Sequence, residues 1–467
     1  MRRGVAAVAL TAAILLGAAG PSHATPPPIK HVFIVVLENE NADTTFGPGS
    51  KAPYLAKTLR SMGQFMPNYF GTGHLSLDNY TAMVSGQGPN VVTQADAPAY
   101  TDVLPGLIGA DGQAMGHGSV YPASVKTIAD QLRAKGLAWR GYMEDMGNSA
   151  TDSKTCRHPA IGAPDNTQSA RKGDQYATRH NPFVYFHSII DDAATCNAND
   201  VPLDRLPGDL ASASTTPSYS FIVPNLCHDG HDEPCKGSNE PGGLVSANAF
   251  LQQWIPQILA SPGYKAGGLV IVTFDEAIAQ GSGADASSCC NEPTNPANTP
   301  NNGGPTPGSG GGRVGAVLIS QYVAAGSFNP TAYNHYTLLG SMEDLFQLAH
   351  LGYAGRSGLK TFGGDVYTNP TGNPKDIGPP PTVSLTGMPH QCVRRAFRVK
   401  VRVHATNLRS TLVFVDNRTV RSGHKSKLDF AVSVKKVSVG RHRLLVRATD
   451  GALRRASRSG TFTRCST

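Results

Sequence analysis

Two apolar runs that do not alternate limit the fold more than any other feature of the sequence: Val32–Leu37 in "HVFIVVLENENADTTFG" and Gly268–Phe274 in "GGLVIVTFDEA". A strand covered on one face alternates apolar with polar side chains. A strand that is apolar throughout is covered on both faces, as happens when helices flank a parallel sheet. Three further runs fit the same sheet: Ala138–Met143, Ser220–Val223 and Val314–Ser320. Helical patterns lie between them, one carrying Val125, Ile128, Ala129 and Leu132, another around residues 250–259. Strands interleaved with helices predict an α/β domain with a mostly parallel sheet over residues 25–365.

Both defining runs end in acid. Glu38 and Asn39 follow the first, Asp275 and Glu276 the second, and a third run, "YSFIVPNLCHDGHDEPC", feeds Asn225, His228, Asp229, His231 and Asp232. In such sheets function collects just beyond the carboxyl ends of the strands. Two more polar clusters stand out: "GTGHLSLDNYTAMVSG", with His74, Ser76, Asp78, Asn79 and Tyr80, and "YNHYTLLGSMEDLFQLAHLG", where His335 precedes a helix with apolar Leu338, Met342, Leu345 and Phe346. Taken singly, each has an ordinary explanation: acids cap helices, Asp-Gly makes turns, and a lone histidine is usually a hydrogen-bonded structural residue. Three acid-bearing strand ends at one sheet edge are different, because neighbouring carboxylates repel and are costly to desolvate unless a cation joins them. Carboxylate and amide oxygens favour Mg²⁺, Mn²⁺ or Ca²⁺, and histidine adds Zn²⁺. A hydroxyl beside such an ion is activated as a nucleophile. Ser76 is the first choice for it, with Thr72 and Ser85 behind. The G-x-S-x-G elbow of ordinary serine esterases is absent from the sequence.

The chain has 467 residues, more than one core of about 250–300 residues takes up. Its charge of +8 is unevenly spread: from His390 onward there are 19 Lys and Arg against Asp416, Asp429 and Asp450, a local balance of +16. That segment reads as period-two runs, "FRVKVRVHA", "TLVFVD", "LDFAVSV" and "HRLLVRAT", which predict a small all-β, Ig-like sandwich over residues 390–467. Residues 366–389 read as a linker, and the Gly/Pro/Asn-rich stretch 280–313 as a flexible insertion. At the N-terminus, Arg2-Arg3, an apolar run Val5–Ala19 and Ser22-His23-Ala24 form a signal-peptide pattern over residues 1–24, so the mature chain is expected to be secreted. Eight cysteines then imply disulfides; Cys392 with Cys465 and Cys227 with Cys235 are the pairs that locality favours.

With these clusters in place, the chain resembles the bacterial phosphoesterase family of exported acid phosphatases and phospholipases C, a branch of the alkaline-phosphatase-like fold. The residues that carry the likeness are Glu38-Asn39 with Phe46-Gly47, "HLSLDNY", "PNLCHDGHD", "TFDE" and "NHYTLLGSMEDLF", in the family's order over residues 30 to about 350. The resemblance implies one divalent ion held by Glu38, Asn39, Asp275 and Glu276, and Ser76 as a nucleophile that becomes phosphoserine. It also implies His74, Asn79, Asp229, His231, Asp232 and His335 around the phosphoryl group, with His231 or His335 as proton donor. Two departures are visible: Asp78 where relatives tend to have proline, and Glu40-Asn41-Ala42-Asp43 where phospholipase-like members tend toward Ser-Phe-Asp. The second tilts the expectation toward an acid-phosphatase-like phosphomonoesterase, with a phospholipase C as the alternative. A non-catalytic envelope-binding protein is the reading from another class, and the expected residues being all in place argues against it. The cationic tail is expected to face anionic cell envelope or membrane, or simply to keep its domain solvated. It lacks the interleaved aromatics that nucleic-acid binding uses.

Overall fold

The computed structural model describes residues 26–292 and 310–466; the signal-peptide pattern and residues 293–309 of the insertion lie outside them. The large part is built on an eight-stranded sheet. Its strands are β1 His31–Leu37, β2 Gln64–Met66, β3 Trp139–Met143, β4 Asp200–Pro202, β5 Tyr219–Val223, β6 Gly268–Phe274, β7 Ala316–Ser320 and β8 Ser327–Phe328. They lie in the order β8-β2-β7-β6-β1-β5-β3-β4, and β7 runs against the rest. The α/β class is as expected, and every residue of β1 and β6, the two central strands, is buried. Their register, Val32 opposite Leu269 through Leu37 opposite Phe274, makes them end together.

Helices cover both faces, among them α1 Ser76–Ser85, α2 Ile128–Ala134, α3 Gly243–Ala260 and α4 His335–Phe346. Helix α2 starts where Thr127 and Asp130 form a capping box, and α4 where Asn334 caps Thr337. The short strands β2, β4 and β8, at or near the sheet's margins, carry too few residues to show a period in the sequence.

The C-terminal part has its own core, centred on Val399, Val401, Val413, Phe430, Leu444 and Val446. A three-stranded sheet of β9 Thr382–Thr386, β10 Phe397–His404 and β13 Lys427–Val432 faces a four-stranded one of β11 Leu408–Val415, β12 Arg418–Gly423, β14 Gly440–Asp450 and β15 Arg455–Arg464. All pairings are antiparallel, so this part is all-β. The segment expected as a linker supplies β9, and its Val366 and Tyr367 are buried against the large core. A buried ion pair, Arg454 with Asp450 at 2.7 Å, fastens it further, because Arg454 also donates to the carbonyls of Ile377, Gly378 and Pro379.

The structure pairs Cys227 with Cys235 and Cys392 with Cys465, and adds Cys156–Cys196 and Cys289–Cys290. No helix among the described residues is long and apolar enough to cross a membrane.

Candidate functional site

The common end of β1 and β6 places Glu38 and Asp275 side by side, since the Asp275 N–H donates to the Leu37 carbonyl at 2.9 Å. On the other side of Glu38 lies the turn after β5: the Glu38 N–H donates to the Asp229 carbonyl at 2.9 Å. Gly230 makes that approach sterically feasible. Its φ is +114°, and a Cβ there would sit 2.6 Å from the Glu38 carbonyl oxygen. Backbone pairing alone therefore brings three acids, Glu38, Asp229 and Asp275, to one point, all fully buried.

Ser76 reaches this point from the first turn of α1. Leu75 ahead of it has φ +70° and ψ 149°, a conformation that costs a non-glycine residue about 1–3 kcal/mol and persists only where neighbours hold it. Asn79 holds it. The Asn79 side-chain oxygen accepts from the N–H groups of Thr72 and Gly73, and its amide donates to the carbonyls of Gly73 and Leu75 and to Asp78. Expected to touch substrate, Asn79 instead shapes the loop that presents Ser76. The Ser76 hydroxyl donates to Glu38 Oε2 at 2.9 Å, and the Tyr80 hydroxyl to Glu38 Oε1 at 2.8 Å.

Several buried oxygens here have no hydrogen-bond partner: both of Asp275, Asn39 Oδ1, Asp229 Oδ2, Asp232 Oδ2 and Asp78 Oδ2. Burial pushes Glu38 up to about 8, with Glu276 adding to the rise and Arg179 opposing it. Burial, then the charge on Glu38, holds Asp275 and Asp229 well above the usual carboxylate range. Burial does the same to Asp78, helped by Glu276. Arg179, buried 3.4 Å from Asp96, is too little positive charge for so many acids. A set of this kind is stable ionised only with a cation among it. The unpartnered oxygens of Asp275 and Asn39 are donors that fit one, and Glu38, His180 and Asp229 are a set whose ligand atoms all lie within 4.8 Å of one another.

The four histidines differ in what their rings do. His74 faces Glu276 Oε2 with Nδ1 and the Asp285 carbonyl with Nε2 at 3.1 Å. His335 is buried, with Nδ1 on the Tyr69 hydroxyl and Nε2 on the Asp275 carbonyl, and burial lowers it to about 4. It is neutral with both nitrogens engaged, so it does not suit the proton-donor role weighed for it; it supports the Asp275 backbone. His231 is the other case: Nδ1 is bound to Asp232 Oδ1 at 2.9 Å, and the ring reaches solvent. His180 lies 3.4 Å from both Glu38 and Asp229 and stacks on Tyr80. Glu276, expected as a ligand, has Oε1 on the Asn39 amide at 2.7 Å and Oε2 on His74, so it orients Asn39, and both its oxygens accept as those of Glu38 do.

Sequence reading missed Arg179, His180 and Asp96. A signal existed in "YATRHNPFVYF": a basic pair inside an aromatic run is destined for burial, and buried cations need acids. The described flanks of the insertion border the site as well. Asn41 donates to the Gly283 carbonyl at 2.6 Å, and Asp285 Oδ2 accepts from the Arg313 N–H at 3.2 Å.

A model of the phosphoesterase family matches residues 48–349. A phosphate-repressible acid phosphatase of Penicillium chrysogenum is 27% identical over 240 residues, 51% of this chain and 46% of that protein. A probable acid phosphatase of Kluyveromyces lactis is 24% identical over 323 residues, 69% of this chain and 59% of that protein. A phosphatidylinositol-3-phosphatase of Mycobacterium tuberculosis is 24% identical over 359 residues, 75% and 91% of the two chains. The chain thus spans about half of the two fungal proteins and most of the mycobacterial one. A crystal structure of an alkaline phosphatase superfamily protein from Vibrio parahaemolyticus overlays with a TM-score of 0.40 at 10% identity, covering 94% of this chain and 86% of that one, which is too loose to argue from.

Proposed function

The chain belongs to the phosphoesterase family, and from that premise we propose that it hydrolyses phosphoric monoesters outside the cytoplasm, with Ser76 as nucleophile beside a divalent cation. One observation carries the reading. Asp275 is a fully buried carboxylate with neither oxygen partnered, beside Glu38, to which the Ser76 hydroxyl is hydrogen bonded.

Glu38, Asp275 and Asn39 Oδ1 would hold the ion, and Glu38, His180 and Asp229 are a further donor set that shares Glu38. The ion supplies neutralisation of phosphate charge and a lowered pKa for the serine hydroxyl. The chain's own groups do the rest. Ser76 Oγ attacks phosphorus, its proton passing along the 2.9 Å bond to Glu38 Oε2. The ester P–O bond breaks, and His231, held through Nδ1 by Asp232, protonates the departing oxygen from Nε2. Water then attacks the phosphoserine, His231 taking its proton; the Ser76 Oγ–P bond breaks, and Glu38 returns its proton to Oγ. Arg179 balances charge from the buried side. Phosphoryl transfer needs mainly positioning and charge neutralisation, which this arrangement offers.

The names of the relatives favour a phosphomonoesterase, and nothing in the geometry favours a phospholipase C. The disulfides fit an oxidising compartment. The test is hydrolysis of a chromogenic phosphomonoester, a phosphatidylinositol monophosphate and a phosphatidylcholine by wild type, chelated wild type and Asp275→Asn. The reading expects cleavage of a monoester, lost on chelation and in the variant. Activity on phosphatidylcholine alone, or monoester cleavage that chelation leaves intact, would overturn it.

A further inference from the structure

The cationic sandwich contains an organised feature that the reaction does not use. Along β14 the burial alternates, and Arg441, Arg443, Leu445, Arg447 and Thr449 point away from the core. Register places Arg455 of β15 opposite Thr449, on the same outer face and diagonal to Arg447. Side chains two residues apart on a strand are about 6.6 Å from each other, so these arginines form a row of about 26 Å. At its end the row meets the large part of the molecule. The Phe328 N–H of β8 donates to the Leu453 carbonyl at 3.0 Å, and Ser327 bridges to Arg454. There Arg60 joins it: Arg455 stacks 3.4 Å over Phe328, Arg60 stacks 4.2 Å over Phe65, and the two rings are 5.9 Å apart. Arg447 stacks 5.5 Å over Phe414.

Among the described residues no carboxylate is paired with these arginines. The three acids of the segment are engaged elsewhere: Asp416 with His442, Asp429 with Arg398 at 2.9 Å, and Asp450 with Arg454. Among the described residues Arg60, Arg447 and Arg455 form neither an ion pair nor a side-chain hydrogen bond. Burial, then the charges of Arg447 and Arg60, lower Arg455 to about 10. Aromatic stacking thus holds three guanidinium groups close together with their N–H donors free, a pre-arranged receiver for oxyanions.

We propose that the outer face of the four-stranded sheet, with Arg60, binds the phosphate groups of a linear polyanion. The row is a single file that crosses from one packed part to the other, which suits an extended chain. Docking on a bilayer draws on clustered exposed apolar anchors, whereas Leu412, Phe414 and Leu445 on this face are partly covered and the exposed Val420 and Val439 stand apart, on the edge strand β12 and just before β14. This inference does not depend on the reading of the catalytic site. Arg60 lies before β2, and the site lies beyond the opposite ends of the parallel strands.

The test is titration of the full chain into fluorescently labelled linear polyphosphate at several salt concentrations, read by anisotropy. Arg447→Gln combined with Arg455→Gln should weaken binding at least ~10-fold and flatten the salt dependence, because fewer counterions are released. Arg443→Gln, away from the junction, should weaken it by about 3-fold, so that a loosened junction is not mistaken for a lost site. Arg398→Gln, on the other sheet, should change it less than about 2-fold. Turnover of a soluble monoester should be unchanged in all three variants. Equal binding by the double variant, an equal loss in Arg398→Gln, displacement by equimolar orthophosphate, or a dependence on these arginines seen with phosphatidylglycerol vesicles and not with polymer would each overturn it.

Discussion

Removing the cation should invert the ordinary effect of acid on this protein. Glu38 has an unfolded value of 4.5 and is pushed up to about 8 when folded without an ion. A raised carboxyl stabilises the fold only while protonated, so stability is present at low pH and is lost as pH rises from 4.5 through 8. At about 1.4 kcal/mol per unit, its cost is about 3 kcal/mol at pH 6.5 and about 4 kcal/mol at pH 8. Asp275 and Asp229 shift in the same direction and add to it. His335, lowered to about 4, works the other way, but only below its unfolded value of 6.5. The window from pH 6.5 to 8 therefore isolates the acids from that histidine. Urea unfolding in chelator should show stability falling by about 1–2 kcal/mol across the window. A bound cation keeps the acids ionised and removes most of that fall. His228, raised to about 9, and Asp200, raised to about 7, contribute slopes of the same sign that the cation does not touch. The decisive quantity is thus the difference between chelated and cation-loaded curves, and Glu38→Gln should shrink it. A difference that does not grow with pH, or one that Glu38→Gln leaves intact, would refute the reasoning.

Three further outcomes follow from the geometry. Ser76→Ala removes the proposed nucleophile and should lower kcat by at least about 10³-fold, while costing only about 1 kcal/mol of stability in urea unfolding for one lost hydrogen bond. His231→Gln should slow esters with poor, alkoxide-like leaving groups by about 10²-fold or more and aryl phosphates far less; His335→Gln should lower stability without that leaving-group dependence, as steady-state kinetics on a substrate series would show. Gly230→Ala should cost about 2–4 kcal/mol in urea unfolding, since φ is +114° and the new Cβ would press on the Glu38 carbonyl oxygen.

The sheet was legible because its central strands are covered on both faces, and a run such as Val32–Leu37 admits few other structures. The acids at strand ends were legible for the same reason, since the place where an apolar run stops is visible in a string of letters. What each polar group then does was not. Asn79 and Ser76 stand three residues apart in one helical turn, yet the amide of one turns back onto the backbone of Thr72, Gly73 and Leu75 while the hydroxyl of the other faces Glu38. His231 and His335 looked equivalent until burial and hydrogen bonds distinguished them. Arg179 and His180 come from a short 3₁₀ turn, Thr178–His180, with no period to mark it. The same limit hid the arginine row. The alternation of β14 was readable, but its alignment with Arg455 and Arg60 depends on strand register and on how two parts of the chain pack.

The central claim is that Ser76 carries the phosphoryl group, and acid quenching during turnover of a phosphomonoester, followed by peptide mass spectrometry, tests it directly. The account predicts phosphate on the peptide that contains Ser76, absent when the cation is chelated before substrate is added. Phosphate on a histidine, or on any hydroxyl other than that of Ser76, would contradict it.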